Sequence, residues 1–126
     1  MRNILKFSVL APMFILAVSC GNKSSGDSSS IAVFVPGVLE GSPTYEMMDS
    51  GVRLAAGDGG LGVKTVEGGF DQAGWTSQLL ALASEKKYGL IVTSNPAMTE
   101  ICNSVASTYP DQDFLVLDGS GLAGSS

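Results

Sequence analysis

Two hydrophobic patterns alternate along residues 31–119. Short and mostly apolar runs fall at residues 31–35, 61–66, 90–93 and 114–117, as expected for strands that are buried on both faces of a sheet. Between them, at residues 44–56, at 71–87 and from residue 96 onward, apolar residues recur at steps of three and four, which predicts helices. Because strands and helices alternate, the chain is predicted to adopt an α/β fold, with a parallel sheet and helices on both of its faces.

The helical spacing also predicts which side chains face the sheet. The glycine-rich residues 57–60 predict the turn that ends the first helix, and Asp71 is placed to cap the second. Cys102 is expected to be a buried small hydrophobe and not a nucleophile. The predicted sheet-facing positions are Tyr45, Met48, Val52 and Ala55 in the first helix, Trp75, Leu79 and Leu82 in the second, and Met98, Ile101, Val105 and Tyr109 in the third.

Small or polar residues follow all four predicted strands, from residue 36 onward after the first and at residues 67–70, 94–96 and 118–120 after the others. In parallel sheets, ligands bind beyond the carboxyl ends of the strands. The four exits together therefore predict a binding site. Tyr45 is open to two interpretations at this point, since an aromatic residue in the first turn of a helix can fill the core or present a flat surface to a ligand.

The first residues have the pattern of an export signal. Arg2 and Lys6 give a positive start, and residues 7–18 form an apolar stretch that is shorter than the roughly 20 residues needed to span a bilayer. Residues 17–21, AVSCG, resemble a bacterial lipobox, which implies lipidation of Cys20. The alternatives are a secretory signal with an incidental cysteine, or a buried helix. The predicted divisions are a signal peptide at 1–19, the lipidated cysteine and a Gly/Ser-rich tether at 20–30, an α/β lobe at 31–119 and a flexible end at 120–126.

The amino-acid composition argues against several kinds of partner and of catalytic site. A net charge of −5 argues against nucleic acid as a partner. The absence of histidine removes imidazole acid–base chemistry and the histidine-dependent triads, and two cysteines cannot hold a metal by themselves. Residues 57–65, GDGGLGVKT, lack the lysine spacing of a phosphate-binding loop and precede a strand instead of a helix. We therefore expect no catalytic residues, no metal and no cofactor.

Four segments carry a resemblance to a known family: VFVPGVLEGSPTYEMMDSGV, VKTVEGGFDQAGWTSQL, YGLIVTSNPAMTEIC and YPDQDFLVLDG. Together they resemble the amino-terminal lobe of the basic membrane protein family, whose members are substrate-binding lipoproteins of ABC importers and include purine nucleoside receptors. The resemblance covers residues 31–119 and the lipobox. It implies one lobe of a type I periplasmic-binding-protein fold.

The resemblance also implies a set of ligand-binding residues. Ser42 and Tyr45 fall in the segment whose aromatic residue stacks on the base, and Gly37 stands where nucleoside receptors carry an aspartate. Ser94 and Asn95 match polar positions at the cleft, and Asp118 matches an acidic position that accepts hydrogen bonds from the ribose or the base.

These implications lead to one expected function and one rival. We expect a non-enzymatic, lipid-anchored substrate-binding protein of an ABC importer, held at the cell membrane and facing the periplasm or the exterior. Its partners are a permease and a small-molecule ligand, with a purine nucleoside as the leading class. Because family members are about twice as long, the sequence predicts a chain truncated to the amino-terminal lobe, with the second lobe missing. The rival is a surface lipoprotein with an antigenic or structural role and no small ligand.

Overall fold

Seven elements alternate in type along residues 30–120, the part of the chain that the computed structural model describes. The predicted signal peptide, Cys20 and residues 121–126 lie outside the described residues, as does the tether up to residue 29. Within residues 30–120, no helix combines the length and apolar character needed to cross a membrane. The elements are β1 (Ser30–Val35), α1 (Pro43–Asp58), β2 (Gly62–Glu67), α2 (Gln72–Ser84), β3 (Leu90–Thr93), α3 (Met98–Thr108) and β4 (Asp113–Val116).

The four strands form one parallel sheet in the order β2-β1-β3-β4. β1 lies inside the sheet, where Ile31 is in register with Val63 of β2 and with Leu90 of β3. Its residues from Ala32 to Val35 are fully buried, which explains why these four positions are all apolar.

Each face of the sheet has its own core. On one face, Phe34 of β1 and Ile91 of β3 pack with Trp75 of α2 and Val105 of α3. On the other face, alternate strand residues including Val33 pack against α1. Helices therefore cover both faces, and the predicted fold class is confirmed: the chain is an α/β unit with the architecture of one lobe of a periplasmic-binding-protein fold.

Most of the sheet-facing positions are as predicted, with one clear exception on α1. Trp75, Leu79, Leu82 and the thiol of Cys102 are buried. The prediction for Ala55 is wrong, because Ala55 is exposed and Ala56 is buried in its place. The other positions predicted to face the sheet are buried or partly buried: Tyr45, Met48, Val52, Met98, Ile101, Val105 and Tyr109.

Helix ends differ from the sequence prediction by two or three residues. α1 continues through Gly57 to Asp58, and the turn comes only at Gly60, which has a φ of +69°. α2 ends at Ser84 instead of near residue 87, because Lys86 adopts a left-handed φ of +52°. α3 begins two residues after Pro96, at Met98.

A polar cluster fixes α1 against β2. Asp49 is 7% exposed, and it accepts hydrogen bonds from the Arg53 Nε, at 2.7 Å, and from the Thr65 hydroxyl of β2. Arg53 also donates to the Thr65 hydroxyl oxygen, at 2.6 Å. Burial alone would raise the pKa of Asp49, but these hydrogen bonds and the charge of Arg53 outweigh it and hold the pKa below its usual value of 3.8. The cluster sets the position of α1, whose first turn forms part of the site described next.

Candidate functional site

The sheet places a crevice between the ends of β1 and β3. These strands are neighbours, yet α1 follows β1 on one face and α3 follows β3 on the other. The two connections therefore diverge at the carboxyl edge, which is the arrangement at which open α/β sheets bind ligands.

A cleft of about 390 Å³ opens at this point. It brings together five of the six ligand-binding residues expected from the sequence, although they come from three separate connections. Pro43, Thr44 and Pro96 also line it and were not singled out from the sequence. The residues expected from the sequence that line the cleft are Ser42, Tyr45, Ser94, Asn95 and Asp118.

Tyr45 forms one wall of the cleft, and the preceding loop fixes its ring. The Tyr45 hydroxyl donates to the backbone oxygen of Pro36, at 3.2 Å. Gly37 lies behind the ring and does not line the cleft, since a Cβ added there would come 3.2 Å from the Tyr45 Cε2. Gly37 also has a φ of +154°, which L side chains rarely adopt. Its place in the structure is therefore a support for the aromatic side chain.

Asp118 and Ser94 form the opposite polar side. The Ser94 hydroxyl is 2% exposed and donates to the Asp118 Oδ2, at 2.6 Å. The exposed Asp118 carboxylate keeps further acceptor positions, so it can receive hydrogen bonds from hydroxyl or amino groups of a ligand. The backbone amide of Leu117 donates to the Thr93 oxygen at 3.0 Å, which holds the end of β4 beside β3.

Asn95 has an unusual backbone conformation at the rim of the cleft. Its φ is +100°, a value that costs energy for a residue with a side chain. Its Oδ1 accepts from the backbone amide of Ala97, at 3.0 Å, and so forms the turn that leads into α3. Within residues 30–120 its amide nitrogen has no partner, which leaves a donor beside the acceptor Asp118.

One of the four strand exits does not reach the cleft. Residues 67–70 leave β2 at the edge of the sheet, and none of them lines the cleft. Glu67 accepts from the backbone amide of Leu39 at 3.1 Å, and the amide of Gly69 donates to the Gly37 oxygen at 2.9 Å. These residues therefore support the β1–α1 loop. β2 pairs with β1 on the side away from β3, so β2 lies outside the crevice. The sequences of the strands do not reveal this order.

The one cysteine within residues 30–120, Cys102, lies in the core and does not line the cleft. Burial raises the pKa of the Cys102 thiol to about 12, so the thiol stays protonated within the core. In the part of the chain that the structure describes, no three acidic or cysteine side chains are grouped so that they could hold a metal ion. The cleft thus offers an aromatic surface, donors and an acceptor, which suit reversible binding.

Comparison with protein families agrees with this geometry. Residues 28–122 match the Bmp family, described as the ABC transporter substrate-binding protein PnrA-like family. The match spans all seven elements and every residue of the cleft. Members of this family bind a small-molecule ligand and work with an ABC permease. This chain belongs to the Bmp family of PnrA-like substrate-binding proteins of ABC transporters.

Proposed function

We propose that the chain binds a purine nucleoside in the cleft between β1 and β3. The observation that carries the proposal is the pairing of Tyr45 with Asp118 across one cleft. A purine base needs a flat apolar surface, and its ribose needs an acceptor for hydroxyl protons. The ring of Tyr45 supplies the first and the carboxylate of Asp118 the second, with the Asn95 amide as an added donor.

The ordering of these groups in advance favours binding. Tyr45 is tied to Pro36, and Asp118 is tied to Ser94, so neither side chain needs much ordering when a ligand enters. Stacking of a base on an aromatic side chain is worth about 1–3 kcal/mol. Removing the ring should therefore weaken binding by about 5-fold to 150-fold, since each 1.4 kcal/mol corresponds to a factor of ten.

A thermal-shift and calorimetry panel of nucleosides tests this function. Saturating ligand, at 100 times its dissociation constant, should stabilise the folded chain by about 2.7 kcal/mol. Tyr45→Ala should lose most of the affinity, whereas Tyr45→Phe keeps the ring and gives up only the bond to Pro36. If no nucleoside stabilises the chain, or if Tyr45→Ala binds as tightly as the parent, the proposal is wrong and a surface lipoprotein without a ligand is favoured.

We further propose that Cys20 carries a lipid that anchors the chain at the cell membrane. β1 begins at Ser30, at the amino edge of the sheet, and the cleft lies at the opposite, carboxyl edge. The residues between Cys20 and β1 would span about 15–20 Å as a flexible coil. An anchor at Cys20 would therefore leave the cleft directed away from the bilayer and accessible to ligand and permease.

Labelling with radioactive palmitate tests the anchor. The parent chain should be labelled and should sediment with membranes, whereas Cys20→Ser should be unlabelled and released. Cys102→Ala is the matched control, because it removes the other cysteine and should leave both results unchanged. Labelling that survives Cys20→Ser would rule out this anchor.

A further inference from the structure

Two side chains of β2 contact the elements that carry Tyr45, although β2 lies outside the crevice. Thr65 and Glu67 are two residues apart on the strand, so their side chains lie on the same face of the sheet. This is the face that α1 covers, since Val63, two residues before Thr65, packs with the α1 core. Thr65 bonds to α1 itself, and Glu67 bonds to the loop that precedes α1. β2 therefore holds the chain at one point before Tyr45 and at one point after it.

The bond from Glu67 fixes the loop that leads into the first turn of α1. The Glu67 Oε1 accepts from the backbone amide of Leu39, at 3.1 Å. The Leu39 oxygen accepts from the Ser42 amide at 3.1 Å, and the Ser42 oxygen accepts from the Glu46 amide at 2.9 Å. Tyr45 lies within the turn that this last bond closes. A carboxylate on β2 thus holds the segment on which the start of α1 is built.

The bonds of Thr65 fix α1 one turn beyond Tyr45. The Thr65 hydroxyl donates to Asp49, which is 7% exposed, and accepts from the Arg53 Nη2 at 2.6 Å. Rotating or sliding α1 would break these bonds and leave a buried carboxylate short of partners, which is costly. Because Asp49 follows Tyr45 by four residues, both lie on the same side of the helix. Thr65 therefore sets the direction in which Tyr45 faces.

The contacts of Tyr45 itself fix its ring only with respect to the loop. Its hydroxyl donates to the Pro36 oxygen, and its ring lies against Gly37. The ring would consequently move with the loop if the loop moved. The amide of Gly69 holds the start of the loop through the Gly37 oxygen, at 2.9 Å, and Glu67 holds its middle. The ring keeps its place in the cleft only while the loop is held against the sheet in this way.

We propose that Thr65 and Glu67 are positioning residues for ligand binding, which hold Tyr45 in the orientation that faces Asp118 across the cleft. Neither residue lines the cleft. The proposal rests on the proposed function, because it gives both residues an effect on the affinity for a nucleoside that neither touches. With the two bonds in place, a ligand meets a wall that is already ordered. Without them, binding has to order the loop and the ring, and affinity falls.

Amide hydrogen exchange, followed by NMR in the whole chain without ligand, tests the positioning directly. The Leu39 amide should exchange about tenfold faster in Glu67→Ala than in the parent, because it loses a hydrogen bond to a charged group. Glu67 is exposed, so the substitution removes no core contact. Glu67→Gln keeps an acceptor oxygen and should restore most of the protection.

Val66→Ala is the matched control for the exchange measurement. Val66 lies between Thr65 and Glu67, but its side chain packs against the core on the opposite face of the sheet. The Leu39 amide should therefore exchange at the parent rate in this variant. An unchanged rate in Glu67→Ala, or an equal acceleration in Val66→Ala, would overturn the positioning role.

Calorimetry with nucleosides tests the consequence for binding. Thr65→Val combined with Glu67→Ala should weaken binding about tenfold, whereas Thr65→Ser combined with Glu67→Gln keeps both bonding groups and should bind nearly as tightly as the parent. In a Tyr45→Ala background, the first pair of changes should alter the affinity by less than about twofold, because these residues act through the ring. An equal loss of affinity with and without the Tyr45 ring would refute the proposal. If the parent binds no nucleoside, the proposed function is wrong, and the exchange rates still decide whether Glu67 holds the loop.

Discussion

Gly68 should tolerate no side chain, because it closes the core beneath the edge of the sheet. A Cβ added at Gly68 would lie 2.8 Å from the Phe34 Cζ and 3.0 Å from the Trp75 Cδ1. Both rings are buried, with Phe34 at 0% and Trp75 at 3% exposure, so neither can turn aside into solvent. The Trp75 indole also donates to the Gly69 oxygen at 3.0 Å, which holds the ring against this spot.

The expected cost of Gly68→Ala follows from this crowding. Inserting a methyl group into a filled core costs about 1–3 kcal/mol. In a domain of this size, each kcal/mol lowers the melting temperature by about 4–8 °C, so a cost of about 2 kcal/mol predicts a fall of about 8–16 °C. The effect is steric, because the backbone of Gly68 does not have a positive φ.

Thermal unfolding followed by circular dichroism measures the effect, with Gly74→Ala as the matched control. Gly74 is the residue before Trp75, inside α2, and an added Cβ would approach the Gln78 Nε2 no closer than 3.4 Å. The same substitution there should stabilise the helix by about 0.5–1 kcal/mol. If Gly68→Ala melts at or above the parent temperature while Gly74→Ala behaves as expected, the tight packing inferred around Gly68 is incorrect.

Three further predictions concern single side chains. Asp49→Asn should lower the free energy of unfolding by about 1–2 kcal/mol at neutral pH, because the hydrogen bonds from Arg53 and Thr65 lose their ionic partner. Since the folded-state pKa of Asp49 is depressed, its contribution is present above the usual pKa of 3.8 and is lost as pH falls through the folded-state pKa; urea melts should show that loss in the parent and not in Asp49→Asn. Cys102 should resist a thiol reagent at pH 8 in the folded chain and react fully in denaturant, and fast labelling of the folded chain would contradict its burial. Asn95→Ala should melt below Asn95→Gly, because both lose the bond to Ala97 but only glycine adopts a φ of +100° without strain, and equal melting would show that the strain is negligible.

The sequence predicted the fold well because its patterns are local. Residues 31–35 and 90–92 are apolar at every position, and that continuity is typical of a strand covered on both faces. Helix ends were less predictable, since Gly57 stays helical and Lys86 turns left-handed for reasons that involve neighbouring turns. Ala55 was misassigned because Ala55 and Ala56 lie three and four residues after Val52, so helical spacing fits either of them equally well.

The cleft was predictable in its parts but not in its assembly. The polar exits after β1, β3 and β4 were visible in the sequence, but the position of β2 at the outside of the sheet was not, so residues 67–70 were grouped with the site although they lie away from it. In the sequence, Gly37 was singled out because it stands where nucleoside receptors carry an aspartate. Its contact with the Tyr45 ring depends on a loop conformation that spacing does not encode.

Backbone hydrogen bonds between loops make the cleft wall rigid before any ligand arrives. Gly68 donates to the Val35 oxygen at 2.7 Å, Gly69 to Gly37 at 2.9 Å and Leu117 to Thr93 at 3.0 Å. Each bond joins the end of one strand to the end of a neighbour or to the loop that follows it. A wall of this kind adds little ordering cost to binding, so affinity depends mainly on the side chains it presents and on what closes the open side.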